Sequence, residues 1–589
     1  MCLGVASKAQ AKTLYLNTGG SSLWETDGAN KFAIWHWQGS NAGAWSDWMT
    51  NVEGNVWKVD ISDASDKVIF CRYNTTATSF DWGKVWNQTS DLSIPSGKDL
   101  YTITGWGDDE GEWSKYGEDP GPGPVTPTEY DKAVPSQCAD VMLQAFYWDS
   151  YQDKGFGNTQ WQTLEGQASE IGQYFQLVWL PPSHASSGGL GYIPSNYSTQ
   201  SSSALGKKSY LVSLISALHN NGVKVIADIV INHCGNKSNA CDYNNLNFGE
   251  YGIIAPQTNW MTSNDEGVTK YGCSGGSNAD DGQNGNDANY EAARDWDHKN
   301  PNVQNMCRAY LKWMKNVMLY DGFRYDYAGG FHTSHLNDYN SASKPYFSVM
   351  EYWDGNVNTL KQRIDDASQN TLAFDFPMRY ATFKDGIAKG NYNACRNAGL
   401  RGQGYSKYAV TFIDNHDSFQ RSGQYDESDI SYSKSGASVN NESLMMRCNA
   451  YILSMPGVPC VFYPHWVKYK ENIKKMITAR RRAGIHSESS VTEEGGSGYY
   501  RATIQGKYGS VKLMLGTAAG DAAPSGYTQA IKGSDYAMYY TGNGPLAIED
   551  VEAEPLDKTK PMYNIMGQQV DGSYRGVVIQ NGHKYLINP

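Results

Sequence analysis

At 589 residues the chain is too long for one ordinary hydrophobic core, so several domains are expected. Its net charge of −12 argues against nucleic acid as a partner, because nucleic-acid binding selects for a basic face. With 41 Tyr and 18 Trp but only 19% charged residues, the composition suits polyhydroxylated ligands, whose C–H faces stack on aromatic rings.

Residues 1–11 end in a small-x-small pattern before Lys12 and resemble the tail of a secretory signal, so a secreted or cell-surface protein is expected. No run of about 20 apolar residues occurs, and no transmembrane helix is expected. The ten Cys contain no Cys-x-x-Cys pair, which argues against zinc; no disulfide connectivity is assigned.

Residues 12–116 hold ten of the 18 Trp. Short stretches such as Thr13–Asn17, Lys31–Trp37 and Val56–Asp60, punctuated by Gly, Asn and Asp, predict an antiparallel β-sandwich. Trp35 and Trp37 fall on one strand face, where they form a stacking platform or fill a core. Residues 117–135 read as a linker, its Gly117–Thr128 part stiffened by proline towards polyproline II.

From 136 to 485 apolar segments alternate with helical spacing. Strands are predicted at Val141–Trp148, Phe175–Pro181, Val225–His233, Arg324–Ala328, Ser348–Trp353, Leu372–Phe376, Tyr408–Ile413 and Gly457–Tyr463. Four of them carry Asp, Glu, Asn or His at their ends. Buried parallel strands read as continuous apolar runs, so this pattern predicts a (β/α)₈ barrel with acids gathered at one rim. The Asn/Gly/Asp-rich span 234–296 is too long for an ordinary connection and reads as an inserted subdomain. Residues 486–545 read as a C-terminal antiparallel β-domain. The β-rich tail 546–589 is either a closing hairpin or a segment resembling the C-terminal sorting signals of secreted bacterial proteins.

The chemistry centres on Asp321-Gly-Phe-Arg-Tyr-Asp-Tyr-Ala-Gly-Gly330. Arg324 and Asp326, two apart, point the same way, and a guanidinium beside a carboxylate favours its ionised form. Val225-Ile-Ala-Asp-Ile-Val-Ile-Asn-His233, Phe347-Ser-Val-Met-Glu-Tyr-Trp353 and Val410-Thr-Phe-Ile-Asp-Asn-His-Asp417 complete the set. In that order the four stretches resemble the short motifs of the α-amylase family, over roughly residues 138–545. Trp179-Leu-Pro-Pro-Ser-His184, Gly191-Tyr-Ile-Pro194 and Gly484-Ile-His-Ser-Glu-Ser489 are similar to the plant-type branch in particular.

The resemblance implies a retaining glycosidase with Asp326 as nucleophile, Glu351 as acid/base and Asp417 binding the distorted sugar. Arg324 would orient Asp326, His233 and His416 would hydrogen-bond the same sugar, and Tyr192 would stack beneath it. It also implies calcium, held by Asn232, Asp295, the Gly330 carbonyl and Asn289, the last standing where plant enzymes carry an Asp. Many family members have Lys three residues after the nucleophile; here the position is Gly329. The Trp-rich segment resembles starch-binding modules appended to bacterial amylases. The expected function is endo-hydrolysis of α-1,4 bonds in starch, glycogen or maltooligosaccharides by a monomer. The alternatives are an α-glucan transglycosylase or debranching enzyme, or a non-catalytic starch-binding surface protein.

Overall fold

A computed structural model describes residues 11–19, 23–26, 31–108, 110–116, 128–235, 245–257, 260–261, 293–418 and 441–546, together with strands within 562–587. The leader up to residue 10, the linker core 117–127, most of the inserted span 234–296 including Asn289, and the side chains of the tail lie outside the described residues. The chain divides into two compact units: Met1–Val125 with Ala553–Pro589, and Thr126–Glu552.

The second unit is built on a closed barrel of eight parallel strands. They are β1 (Met142–Gln144), β2 (Leu177–Leu180), β3 (Lys224–Ile229), β4 (Gly322–Tyr325), β5 (Phe347–Met350), β6 (Leu372–Phe374), β7 (Ala409–Phe412) and β8 (Val458–Phe462). Each pairs with the next in parallel, and Met142 against Cys460 closes the ring. Parallel strands covered by helices are buried on both faces, which is why these segments are apolar without alternation. The observed strands are shorter than the sequence predicts. β4 ends at Tyr325, so Asp326 stands one residue beyond it; its N–H still donates to the Ile229 carbonyl at 2.9 Å before the chain turns through Tyr327 at φ +44°.

Helix α1 (Lys208–Asn220) buries Leu211, Leu214, Ile215 and Leu218, the i, i+3, i+4, i+7 set of one helical face. Helix α2 (Pro301–Asn316) starts on an Asn300 side chain that accepts from the Asn302 N–H, with Pro301 in the first turn, where its missing N–H costs nothing. Helix α3 (Tyr463–Ala483) follows β8 and ends at Gly484, whose φ of +71° suits a helix C-cap. Among the described residues no helix is long and apolar enough to cross a membrane. Within the span read as linker, the chain from Glu129 onwards is fastened to the barrel: Lys344 pairs with Glu129, and the Ala133 N–H donates to Asn370 Oδ1 at 2.8 Å.

Five antiparallel strands close this unit, in the order Ser490–Gly495, Tyr499–Gln505, Ser510–Gly516, Tyr536–Tyr540 and Thr528–Lys532. Glu493 joins this sheet to the barrel helices. Its two oxygens accept from Arg401 at 2.9 and 3.0 Å, Oε1 from the Asn397 N–H at 2.9 Å and Oε2 from the Tyr500 hydroxyl at 2.5 Å. Burial works to raise its pKa, but the hydrogen bonds from Arg401 and Tyr500 outweigh it and hold Glu493 below its ordinary 4.5. Its contribution is therefore complete above that value and is lost as pH falls through the lowered one. Glu493→Ala is expected to cost about 3 kcal/mol by stranding Arg401, measured by denaturant unfolding near neutral pH. The deficit should shrink in acid.

The first unit contains a β-sandwich. One sheet runs Gly111–Ser114, Leu100–Ile103, Ala11–Asn17, Val56–Ser62 and Thr50–Glu53. The other runs Ala44–Trp45, Lys31–Trp37, Lys67–Tyr73 and Val85–Gln88. Pairing is antiparallel except between Ala11–Asn17 and Leu100–Ile103, which run parallel. Leu14, Leu16, Val59 and Ile61 meet Phe32, Ile34, Val68 and Phe70 in the core between the sheets.

Strand alternation then sends Ala33, Trp35 and Trp37 to the outer face of the second sheet. There Trp35 packs edgewise on Trp45 at 5.1 Å and on Trp82 at 5.5 Å, and Trp48 lies 4.5 Å from Phe80. Trp82, from the turn Trp82–Lys84, is the exposed member at 42%.

Candidate active site

Three consecutive strands and their following residues supply a network centred on Arg324, which is fully buried. A guanidinium placed there needs compensating charge, because removing it from water costs several kcal/mol. Its Nη1 donates to Asp228 Oδ1 and to Asp326 Oδ1, each at 2.7 Å, while Nη2 pairs with Glu351 Oε1. Asp228 comes from β3, Asp326 from the end of β4 and Glu351 from the end of β5. One planar fork thus holds three carboxyl groups in fixed relation.

Two of these acids, Asp228 and Glu351, are shifted upward. Burial pushes Asp228 up to about 7, with Arg324 pulling against it and Asp326 adding to it. Glu351 is also raised by burial; Arg324 opposes that and the charge of Asp326 reinforces it. Its second oxygen accepts from the Tyr327 N–H at 3.2 Å. Carboxyl groups in different environments but within reach of one substrate are the usual means of having an acid and a nucleophile at the same pH.

Asp228 also accepts from the Tyr192 hydroxyl at 2.7 Å and from the Trp179 indole at 3.0 Å. The Tyr192 ring lies against His416 at 4.9 Å and 10°, with Trp148 parallel to both. His416 is fixed at Nδ1 by the Gln144 amide at 3.1 Å, and its Nε2 lies 3.1 Å from Asp417 Oδ2. His233 Nε2 meets the Tyr192 carbonyl at 2.9 Å and so ties down the loop that carries Tyr192. Asp326, Glu351, Arg324, Tyr192 and His416 are therefore joined in one connected set, with Asp417 at its His416 edge.

The turn presenting His416 and Asp417 is itself anchored. Buried Asp414 lies 3.5 Å from Arg379 and 3.2 Å from His465 of α3, and Asn415 Oδ1 accepts from the Asp417 and Ser418 N–H groups.

Asn232 and Asp295, expected to bind calcium, are buried side by side, with Asn232 Nδ2 3.2 Å from Asp295 Oδ1. They are held there by pairing of His233–Gly235 with Ala293–Asp295. Among the described residues no group of three or more His, Cys, Asp and Glu side chains gathers to hold a metal. The amide oxygen of Asn232 and the carboxylate of Asp295 are donors of the kind a hard cation takes.

Sequence reasoning assigned no role to Asp228, Trp179, Gln144 or Trp82. The signal for Asp228 was present: a lone acid inside the apolar run Val225–Ile231 must be paired to be buried.

A closed barrel with paired carboxyl groups at its strand ends defines a glycosidase-like site. Residues 169–368 match the family model described as "Alpha amylase, catalytic domain". A relative from Arabidopsis thaliana named "Probable alpha-amylase 2" is 30% identical over 429 residues, covering 68% of this chain and 94% of that protein. A "Glucan 1,4-alpha-maltotetraohydrolase" of Stutzerimonas stutzeri is 26% identical over 435 residues, covering 67% of this chain and 72% of its own. In fold, the chain is similar to the crystal structure of an Anoxybacillus alpha-amylase, with a TM-score of 0.51 at 13% identity, covering 70% of this chain and 99% of that one. The chain belongs to the α-amylase family of glycoside hydrolases.

Proposed function

We propose that the chain is a secreted, calcium-dependent, retaining α-amylase that cleaves internal α-1,4 bonds of starch-like glucans. The observation that carries this reading is the Arg324 fork, which contacts both Asp326 and Glu351. That bridge favours the close carboxyl spacing of a retaining pair, roughly 5–5.5 Å, over the wider gap of an inverting one. Glu351, protonated, donates to the glycosidic oxygen as Asp326 attacks the anomeric carbon. The leaving chain departs and a glucosyl ester on Asp326 remains. Water then attacks that carbon while Glu351, now ionised, takes its proton, and the ester breaks. Asp417 and His416 hold the hydroxyls of the distorted sugar, and Tyr192 packs beneath it. The relative's name, a glucan 1,4-α-maltotetraohydrolase, supports the α-1,4 linkage.

Asn232, Asp295, the Gly330 carbonyl and Asn289 would hold the calcium, which would fasten the inserted span to the barrel. Chelation is expected to lower the melting temperature and the activity together, and added calcium to restore both; a change in neither would remove calcium from the account. The aromatic face bearing Trp35 and Trp37 would hold starch near the catalytic unit, raising the local glucan concentration. Product analysis on soluble starch tests the whole reading. Short maltooligosaccharides with new reducing ends support it. Longer transfer products without net hydrolysis point to a transglycosylase, and binding without cleavage to a starch-binding protein.

A further inference from the structure

Among the described residues the exposed tryptophans are Trp82, Trp86 and Trp106, and all belong to the sandwich. Trp82 crowns the outer aromatic face. Trp86 does not: Val85 packs into that face opposite Tyr73, whereas Asn87 stands opposite Arg72, so Trp86 is the extra residue of a bulge and leaves the face there. There it meets Trp106 across Arg72, whose guanidinium carbon lies 5.1 Å from the Trp86 ring centre and 5.5 Å from that of Trp106.

The arrangement is built rather than incidental. Arg72 is 3% exposed and donates to the Trp24 carbonyl at 2.6 Å, the Thr26 carbonyl at 2.7 Å and Asn87 Oδ1 at 3.0 Å. A cation so fixed forms a rigid seat for both indoles. Trp106 sits in a turn closed by Glu110, whose carboxylate accepts from the Gly107 N–H at 3.0 Å and whose N–H donates to the Gly107 carbonyl at 3.0 Å. The Glu110 carboxylate also occupies the space a side chain at Gly105 would need, with Oε2 only 1.8 Å from where a Cβ would stand. The indoles are held out at 43% and 45% exposure, although burying them would gain apolar contact. Rigid, half-exposed indoles with polar surroundings match the C–H face of a pyranose ring.

Resting on the glucan-binding reading of the module, we propose that Trp86 and Trp106 form a second α-glucan-binding face, separate from the Trp35/Trp82 face. Two faces on one module engage one granule twice, so loss of either lowers avidity without removing binding.

The test uses the full chain carrying Glu351→Gln, so that bound glucan persists, and measures depletion from solution by starch granules. Trp86→Ala with Trp106→Ala is expected to weaken binding at least about tenfold. Adding Trp82→Ala should weaken it further. Unchanged binding in the Trp86/Trp106 variant, with a loss in Trp82→Ala alone, would overturn the second face and leave the module reading intact. Failure of the parent to bind granules, despite turnover of starch by the wild type, would overturn the module reading itself. Thermal unfolding checks the fold; should the double variant melt early, Trp106→Ala alone, on its turn, must show the loss.

Discussion

Glu351→Gln is expected to lower kcat on soluble starch by about 10²–10⁴-fold, the usual contribution of a positioned general acid, with KM little changed. The amide keeps the shape and the contact with the Tyr327 N–H but has no proton to give. The same residue fixes the pH profile. Burial raises Glu351 above its ordinary 4.5, so the protonated form needed for the first step persists to higher pH than a free glutamate would allow. As pH rises through the raised value, the rate should fall, giving the alkaline limb of kcat/KM. In the Gln variant that limb should disappear. Its survival there would assign the proton to another group, Asp228 being the nearest alternative.

Arg324→Gln should damage stability and activity together. Asp228, Asp326 and Glu351 would share a buried site without their cation, a change expected to cost about 3–5 kcal/mol. Asp228 and Glu351 would take up protons at still higher pH, and Asp326, the proposed nucleophile, would lose its orientation. Loss of one preorganised charge costs about 10²–10³ in kcat, and Arg324 contacts both carboxyl groups proposed to react. Arg324→Lys should not rescue, since a single ammonium cannot reproduce a fork that contacts Asp326 with one nitrogen and Glu351 with the other. Chemical denaturation and initial rates measure the two effects. Near-wild-type kinetics for Arg324→Lys would reduce the guanidinium to a mere source of positive charge.

The barrel was legible because its strands are buried on both faces and stand out as apolar runs between polar and helical segments. Their ends were less so: Phe146 and Trp353 prolong the apolar runs of β1 and β5 past the last strand residues, Gln144 and Met350. The acids proposed to be catalytic, Asp326, Glu351 and Asp417, could be placed in the segments that follow β4, β5 and β7. Asp228 could not be given its role, because its partner Arg324 stands opposite it on the neighbouring strand but far away in sequence. In the sandwich, alternation found Trp35 and Trp37, but Trp82 reaches the same face from a turn, where no period applies. The seat of Trp86 and Trp106 on Arg72 joins two strands and a turn, a juxtaposition only the fold creates.

The proposed double displacement at Asp326, with Glu351 as its partner, releases a product of retained configuration. Proton NMR of the first products released from maltoheptaose, recorded before the anomers equilibrate, tests it most directly. The α-anomer appearing first is the predicted result. The β-anomer appearing first would mean a single displacement by water and would contradict the assignment of Asp326 as nucleophile.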